Sequence, residues 1–537
     1  MFYLSHFQLH SLMPSFAPPS TPALVHHLQP MPSERLGARA IPPQNVQPPR
    51  LAHRFAAWLS GTAIAITLAG CASTATIKLP SAQTTQADSQ VTAPAAWQAA
   101  LPHGASTATM ANWWAQWGDA ALVELMDAAQ KESATLSGAR SRIAQARAAL
   151  TGAQAALLPG VNASAQASRS VQTPGAPQAT ALSAGVQASW EIDVFGGNRA
   201  ASSAAQARLG GAELGWHEAR VAVAAETAAT YYSLRYCESN TVLAENDAAS
   251  RAETARLAEL TAKAGFNAPA NAALARASAA DGANTARAAL AQCSVLVKSL
   301  VALSGIDEPA LRAKLNTNQV IASKINAQAA LFSIANVPAN VLLQRPDIVA
   351  AQRAVVAASL DARAFDAKRY PMLSLSGNIG GAAVRQAGVT NDGLTWSLGP
   401  IALTVPLLDG GRAAANTQAA VAAYDDAVIA LRAKARNAVR EVEEALVNLD
   451  SGAQRNADAQ LAAAGYKAAL DAAQARYKAG LGSLVELEDA RRTSVFAQQS
   501  LLGLERDRIA AWISLYRAAG GGWAASSTAV AAVPTAR

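Results

Sequence analysis

Residues 161–171 read VNASAQASRSV, and residues 182–194 read LSAGVQASWEIDV. In the first stretch the odd positions Val161, Ala163, Ala165, Ala167 and Val171 are apolar, broken only by Arg169, while Asn162, Ser164, Gln166, Ser168 and Ser170 are polar. The second stretch inverts parity, with Leu182, Val186, Ala188, Trp190, Ile192 and Val194 apolar against Ser183, Gln187, Ser189, Glu191 and Asp193. A side-chain period of two marks a β-strand with two unlike faces. The pattern returns downstream as LSLSGNI at 373–379 and LTWSLGPIALTV at 394–405. In the last run the phase slips at Gly399-Pro400, so that Ile401, Leu403 and Val405 become the apolar set, as a β-bulge produces. Strands are expected at 160–173, 181–195, 372–383 and 394–408. Strict alternation over about ten residues suits a strand with lipid on one side and water on the other. A soluble half-buried sheet has the same period. The Ser, Gln, Asn and Gly of the polar face, and the address label at the N-terminus, favour the membrane.

That label begins after residues 1–50, which are rich in Pro, His and Gln and are read as disordered or untranslated, with Met31 a candidate start. Residues 51–70 read as a signal peptide, and a basic edge of Arg50, His53 and Arg54 precedes the apolar run FAAWLSGTAIAITL at 55–68. The run is short for a spanning helix, which needs about 20 residues, and fits a signal-peptide core. Leu68-Ala69-Gly70-Cys71 resembles a bacterial lipobox, so Cys71 is the expected acylated first residue of the mature chain. Ala72 lacks the Asp that often retains lipoproteins at the inner membrane, which favours the outer one.

The mature chain is one unit written twice. Gly196-Gly197-Asn198-Arg199 answers Asp409-Gly410-Gly411-Arg412, Lys263-Ala264-Gly265 answers Lys478-Ala479-Gly480, Leu303-Ser304-Gly305 answers Ala518-Ala519-Gly520, and Pro159 answers Pro371. The offsets stay between 212 and 215 positions. Such near-constant spacing marks a tandem duplication. An acylated linker is expected over 71–110, a first repeat over 111–305, a connector over 306–345, a second repeat over 346–523 and a tail over 524–537. Each strand pair precedes an uninterrupted helical pattern, Arg199 to Ala264 and Arg412 to Ala479, on the order of 100 Å at 1.5 Å per residue. Gly265 and Gly480 mark reversals, after which shorter helices return to Gly305 and Gly520. Helices of that length belong to coiled coils and tubular walls. Four strands cannot close a barrel, and open sheet edges are not tolerated in hydrocarbon. Two chains would supply eight strands and a plugged lumen, three chains twelve and a usable pore. The fold class expected is mainly α with a transmembrane β part, a homotrimeric barrel continued by a helical tube.

Composition excludes several other functions. The 537 residues carry 44 Lys+Arg against 37 Asp+Glu, a formal charge of +7 with no basic block that would track nucleic acid. Five of the seven histidines precede residue 60, leaving His103 and His217. No CxxC, HExxH, GxSxG or phosphate-loop signature occurs. No enzyme constellation, cofactor or metal site is expected, and six methionines argue against a metal-efflux cluster.

Lipobox, paired repeats, Gln344-Arg345-Pro346-Asp347-Ile348, Pro406-Leu407-Leu408-Asp409-Gly410-Gly411-Arg412 and Gly520-Gly521-Gly522-Trp523 together resemble the TolC-like outer-membrane efflux family, in its lipoprotein (NodT-type) branch. The resemblance spans about residues 71–523. It implies a trimeric 12-stranded barrel in outer-membrane lipid, set on a helical tunnel. It also implies docking to a periplasmic adaptor (membrane fusion) protein and an inner-membrane RND-type pump. In that family tyrosines and acids close the periplasmic end, and Tyr477, Glu486 and Asp489 fall on the matching positions. Ala262, Asn271 and Leu274 stand at those positions in the first half, so the acids are expected from the second half alone. Gly482 replaces a basic residue that latches some relatives. The turns at Gly265-Phe266 and Gly480-Leu481 match the tips that adaptors grip, although Asn267-Ala268-Pro269 departs from the usual first turn. Such a protein is a passive duct for small molecules such as drugs. The alternative is the outer-membrane duct of a type I protein-secretion system.

Cys237 and Cys293 lie equally far, 28 positions, on either side of Gly265. On antiparallel helices they share one height, so in the oxidising periplasm a disulfide is expected. Two buried free thiols are the alternative.

Overall fold

The computed structural model describes residues 77–93, 114, 119–171, 173–316 and 341–522. Cys71 with its signal segment, Trp523 and the tail 524–537 lie outside the described residues. Helix α1 spans Ala82–Asp88, α2 Ala120–Glu132 and α3 Ala134–Ala155, followed by strands β1 (Gly160–Ser170) and β2 (Ala179–Ile192). Then come α4 (Gly197–Lys263), α5 (Pro269–Ser304) and α6 (Glu308–Asn316). After one helical turn at Val341–Gln344, the order repeats as α7 (Pro346–Ala367), β3 (Met372–Gln386), β4 (Val389–Thr404), α8 (Arg412–Lys478) and α9 (Leu484–Ala518).

Helices α4 and α8 both run 67 residues. Alanine, the best helix former, fills many of their positions. Each starts behind a glycine with positive φ, Gly196 at 75° and Gly411 at 84°. An aspartate caps each start. Asp193 accepts from the backbone N–H of Asn198 at 3.1 Å and Arg199 at 2.8 Å, and Asp409 from Gly411 at 2.9 Å and Ala413 at 2.8 Å. The carboxylates satisfy orphan N–H groups at the positive end of each helix dipole.

The four strands form one antiparallel sheet in the order β1-β2-β3-β4, so the two repeats meet at β2–β3. Its register aligns Ala163, Val186, Ile379 and Trp396 in one row and Asn162, Gln187, Asn378 and Ser397 in the next. Adjacent rows face opposite sides, and the sides are chemically segregated. The apolar side is bare: Leu394, Trp396 and Leu398 are 74%, 72% and 83% exposed. At the repeat boundary Gly185 faces Gly380, where a Cβ on Gly380 would meet the Ala184 carbonyl oxygen at 2.5 Å.

Strand boundaries correct the expectation in all four strands: β1 ends at Ser170 rather than 173, and β2 runs from Ala179 to Ile192 rather than from 181 to 195. Strand β4 begins at Val389 rather than 394 and ends at Thr404 rather than 408, and β3 runs on to Gln386 rather than 383. Asn391-Asp392-Gly393 has turn chemistry but lies within the strand. The turn is Ala387-Gly388, both with positive φ (50° and 84°), as a two-residue hairpin of primed type requires. The phase slip is where the sequence places it: Leu375 pairs with Ile401 and Gly377 with Leu398, leaving Gly399-Pro400 opposite Ser376.

The main core sits partway along the long helices, where α2, α6 and α7 add girth. Leu122, Leu125, Tyr231, Leu234, Leu300, Leu311, Ile348, Leu431, Leu446 and Leu515 are buried there, joining both repeats. Arg345, within the Gln344–Ile348 motif, locks the junction. It donates to the Ala518 carbonyl at 2.9 Å, to Glu441 at 2.9 Å and to both Asp347 oxygens at 3.0 and 2.9 Å. The segment upstream is fastened too, with Asp88 accepting from Tyr424 at 2.8 Å and from Arg432 at 3.2 Å.

Candidate functional site

Helix pairs α4–α5 and α8–α9 end in two matching tips. At the first, Gly265 N–H donates to Ala262 O at 3.1 Å and Phe266 N–H to Thr261 O at 2.9 Å. At the second, Gly480 N–H donates to Tyr477 O at 3.0 Å and Leu481 N–H to Arg476 O at 2.8 Å. Both are Schellman caps, with Gly265 (φ 81°) and Gly480 (φ 74°) in the left-handed position. The apolar residue after such a glycine commonly tucks back on the helix. Here it does not: Phe266 is 87% and Leu481 73% exposed. The restarts differ. Ser483 caps α9 by accepting from Glu486 N–H at 3.1 Å, whereas α5 starts on Pro269 with no side-chain cap.

Of the expected aperture group, Tyr477 is half-buried against Ala255, Ala258, Ala275 and Leu484. Burial, then the Glu488 charge, raises its hydroxyl pKa. Glu486 and Asp489 stay exposed. Glu486 accepts from Arg476 at 2.7 Å, and Asp489 pairs with Arg492. Both partners belong to the same hairpin, and neither acid is hydrogen-bonded to Tyr477 among the described residues. A Cβ on Gly482 would stand 3.3 Å from Arg476 Cβ, and the cation that reaches Glu486 is supplied by Arg476.

A second charge cluster, which starts at Glu488 and extends away from the tip, was not legible from spacing. Arg491 is 1% exposed and donates to Glu488 at 2.5 Å, and to Ser250 and Thr254 hydroxyls at 3.1 Å each. Asp247 accepts from Arg251 at 2.8 Å, and Arg251 donates to Ser278 at 2.9 Å, which in turn donates to Glu488 at 2.5 Å. Gly282 makes room for Arg251, since a Cβ there would meet Arg251 Cδ at 2.8 Å. Burial depresses the Arg491 pKa, with Glu488 and Asp247 opposing it. The cluster ties α9 of the second repeat to α4 and α5 of the first. Its sequence signals were Asp247-Arg251 at i,i+4 and Glu488-Arg491 at i,i+3, both of which look like solvated helix pairs until the third helix covers them.

Farther along the first hairpin, Cys237 on α4 and Cys293 on α5 stand with Cα atoms 5.5 Å apart and sulfurs 2.10 Å apart, a bonded pair.

Two long helical hairpins per chain, joined to a sheet with one bare apolar side, have counterparts among known proteins. The model of the outer membrane efflux protein family matches residues 125–305 and 337–521. The chain belongs to that family. It is 30% identical over 478 residues to outer membrane protein OprJ of Pseudomonas aeruginosa, covering 87% of this chain and 96% of the relative. To nodulation protein T of Rhizobium leguminosarum bv. viciae it is 27% identical over 437 residues, covering 79% and 87%. The crystal structure of the Campylobacter jejuni CmeC outer membrane channel shares the fold, with a TM-score of 0.68 at 21% identity over 83% of this chain and 94% of that one. The chain is thus an outer-membrane efflux channel of a tripartite system, a passive duct rather than an enzyme.

Proposed function

We propose that three copies of the chain assemble one duct. Their sheets close a 12-stranded barrel through the outer membrane, and their α4–α5 and α8–α9 hairpins line up as a periplasmic tunnel for small molecules. The observation that carries this is the four-stranded sheet itself. Its apolar side is bare and both edge strands, β1 and β4, lack a neighbour among the described residues. Hydrocarbon tolerates the first and forbids the second, so the edges are paired with further copies. Acylated Cys71 tethers each chain to the inner leaflet. The exposed Phe266 and Leu481 tips are the adaptor contacts, and an inner-membrane RND-type pump loads the duct. Tyr477, Glu486 and Asp489 of three chains converge near the axis and form the aperture, where repeated carboxylates favour cations. The Cys237–Cys293 bridge stiffens each first-repeat hairpin behind its tip.

The test is a deletion strain challenged with a panel of antibiotics, dyes and solvents. Wild-type chain restores resistance. Phe266→Glu/Leu481→Glu reaches the outer membrane at normal level and does not. Full resistance from that variant overturns the adaptor-contact assignment, and a deletion strain as resistant as its parent overturns the small-molecule duct.

A further inference from the structure

Along β1, β2 and β3 the bare side of the sheet is apolar row after row until the end that carries the hairpin loops, where it holds two arginines, while β4 adds Asp392 one row before that end. On β1 the outward positions run Val161, Ala163, Ala165, Ala167 and then Arg169, and on β3 Ile379, Gly381, Ala383 and then Arg385. Both arginines pair with Thr180 of the strand between them. Directly paired residues share a face, so Arg169, Thr180 and Arg385 form one outward-facing row, its ends two strand spacings apart, about 10 Å. Both arginine side chains are exposed, and neither has an ion-pair or hydrogen-bond partner among the described residues. Asp392, paired with Ala383, lies one row inward and diagonal to Arg385 without bridging it.

Height explains the placement. Trp190 pairs with Leu375 near the opposite end and donates its indole N–H to the Leu157 carbonyl at 3.0 Å, beside the helices. Arg385 is ten residues beyond Leu375. At about 3.4 Å per residue and a tilt of about 40°, that is about 26 Å along the membrane normal, close to the height of a barrel's apolar band. The guanidinium groups therefore emerge where hydrocarbon gives way to the headgroups of the exterior leaflet. A lone interfacial arginine can snorkel into water. Two at fixed spacing, with a hydroxyl between them and no carboxylate engaged, present a complementary seat for phosphate oxygens, to which guanidinium binds as a planar fork.

We propose that Arg169, Thr180 and Arg385 form a binding site on the outer rim of the barrel for a phosphorylated anionic lipid headgroup of the exterior leaflet. The site rests on the sheet's spanning the membrane, and it is separate from the duct and its tip. Each copy in a trimer would carry one, so a collar of bound lipid would seal the barrel's rim.

The experiment uses the full-length mature protein in nanodiscs of phosphatidylcholine, titrated with a bisphosphorylated lipid A and followed by native mass spectrometry. Wild-type protein binds the glycolipid. Arg169→Gln/Arg385→Gln binds it about tenfold more weakly or worse, and Arg169→Lys/Arg385→Lys, which keeps the charge but loses the fork, binds between the two. The same glycolipid with its phosphates removed binds wild type no better than it binds the Gln variant. Equal binding by wild type and the Gln variant overturns the site. Displacement of the glycolipid by inorganic phosphate at equal concentration overturns the lipid as its occupant. Failure of wild type to enter nanodiscs at all is a distinct result that overturns the spanning sheet, and the site with it.

Discussion

Replacing Arg491 with Met tests what holds the tip of α9. The guanidinium is almost fully enclosed, contacts Glu488 at 2.5 Å and reaches two hydroxyls of α4 at 3.1 Å. Removing one member of a buried ion pair costs about 3–5 kcal/mol, because the carboxylate left behind is not rehydrated. Arg251 still lies 3.5 Å from Glu488 and 2.8 Å from Asp247, so part of the charge stays compensated. The expected loss is at the low end, about 3 kcal/mol, or about 100-fold in a local opening equilibrium. Hydrogen exchange of the assembled protein reads this directly. Amides across Leu484–Ser494 should lose about 100-fold in protection, while Ile509–Tyr516, packed in the main core, should not change. Adding Glu488→Gln to the Met variant should recover part of the loss by removing the stranded charge. Unchanged protection across Leu484–Ser494 would mean that α9 is held by α8 alone, and that the three-helix clasp carries no energy.

Two further outcomes follow from the same physics. Cys237→Ser/Cys293→Ser opens a loop with a sequence separation of 56 that contains the whole first tip; the chain-entropy estimate is about 4 kcal/mol, so limited proteolysis should cut within 238–292 far sooner than in wild type, and equal digestion would remove the bridge from the stability account. Burial alone would raise the Asp347 pKa, but the Arg345 hydrogen bonds and charge outweigh it and hold the carboxyl below the usual range. Its stabilising contribution is therefore present above the ordinary aspartate pKa and lost as pH falls through the depressed one. Thermal midpoints of wild type and Asp347→Asn should differ most at neutral pH and converge in acid, and a constant difference across pH would refute the coupling.

The strands and long helices were legible because their periods are local. Alternation at 161–171 and 182–194 needs no partner to be seen, and neither does the slip at Gly399-Pro400. What went unseen was set by distant residues. Asn391-Asp392-Gly393 carries the chemistry of a turn, yet pairing of β4 with Ala382–Val384 holds it extended, and the reversal falls on Ala387 at an unusual positive φ. At the tip the resemblance pointed to Glu486 and Asp489, whose partners Arg476 and Arg492 lie on the same hairpin. The cluster that crosses hairpins centres instead on Glu488 and Arg491. Its other members, Asp247, Arg251 and Ser278, lie more than 200 positions upstream, a separation that no local pattern bridges. The duplication itself was visible because its glycines, together with Pro159 and Pro371 and the Lys-Ala pair before each turn, recur at a near-constant offset. Gly265 and Gly480 both adopt left-handed backbone, so they stand at the same point of each repeat, each behind Lys-Ala, while the residues that follow differ.

Native mass spectrometry of the detergent-extracted mature protein, with single-channel recording from the same sample, decides whether a shared barrel continues into a gated helical tunnel. The expected species is a trimer whose chains begin at an acylated Cys71. Its expected conductance is small and cation-selective, and rises when Glu486→Gln/Asp489→Asn neutralises the acids at the aperture. A monomer that passes no current would contradict it, because four strands with two open edges would then have to exist in lipid alone.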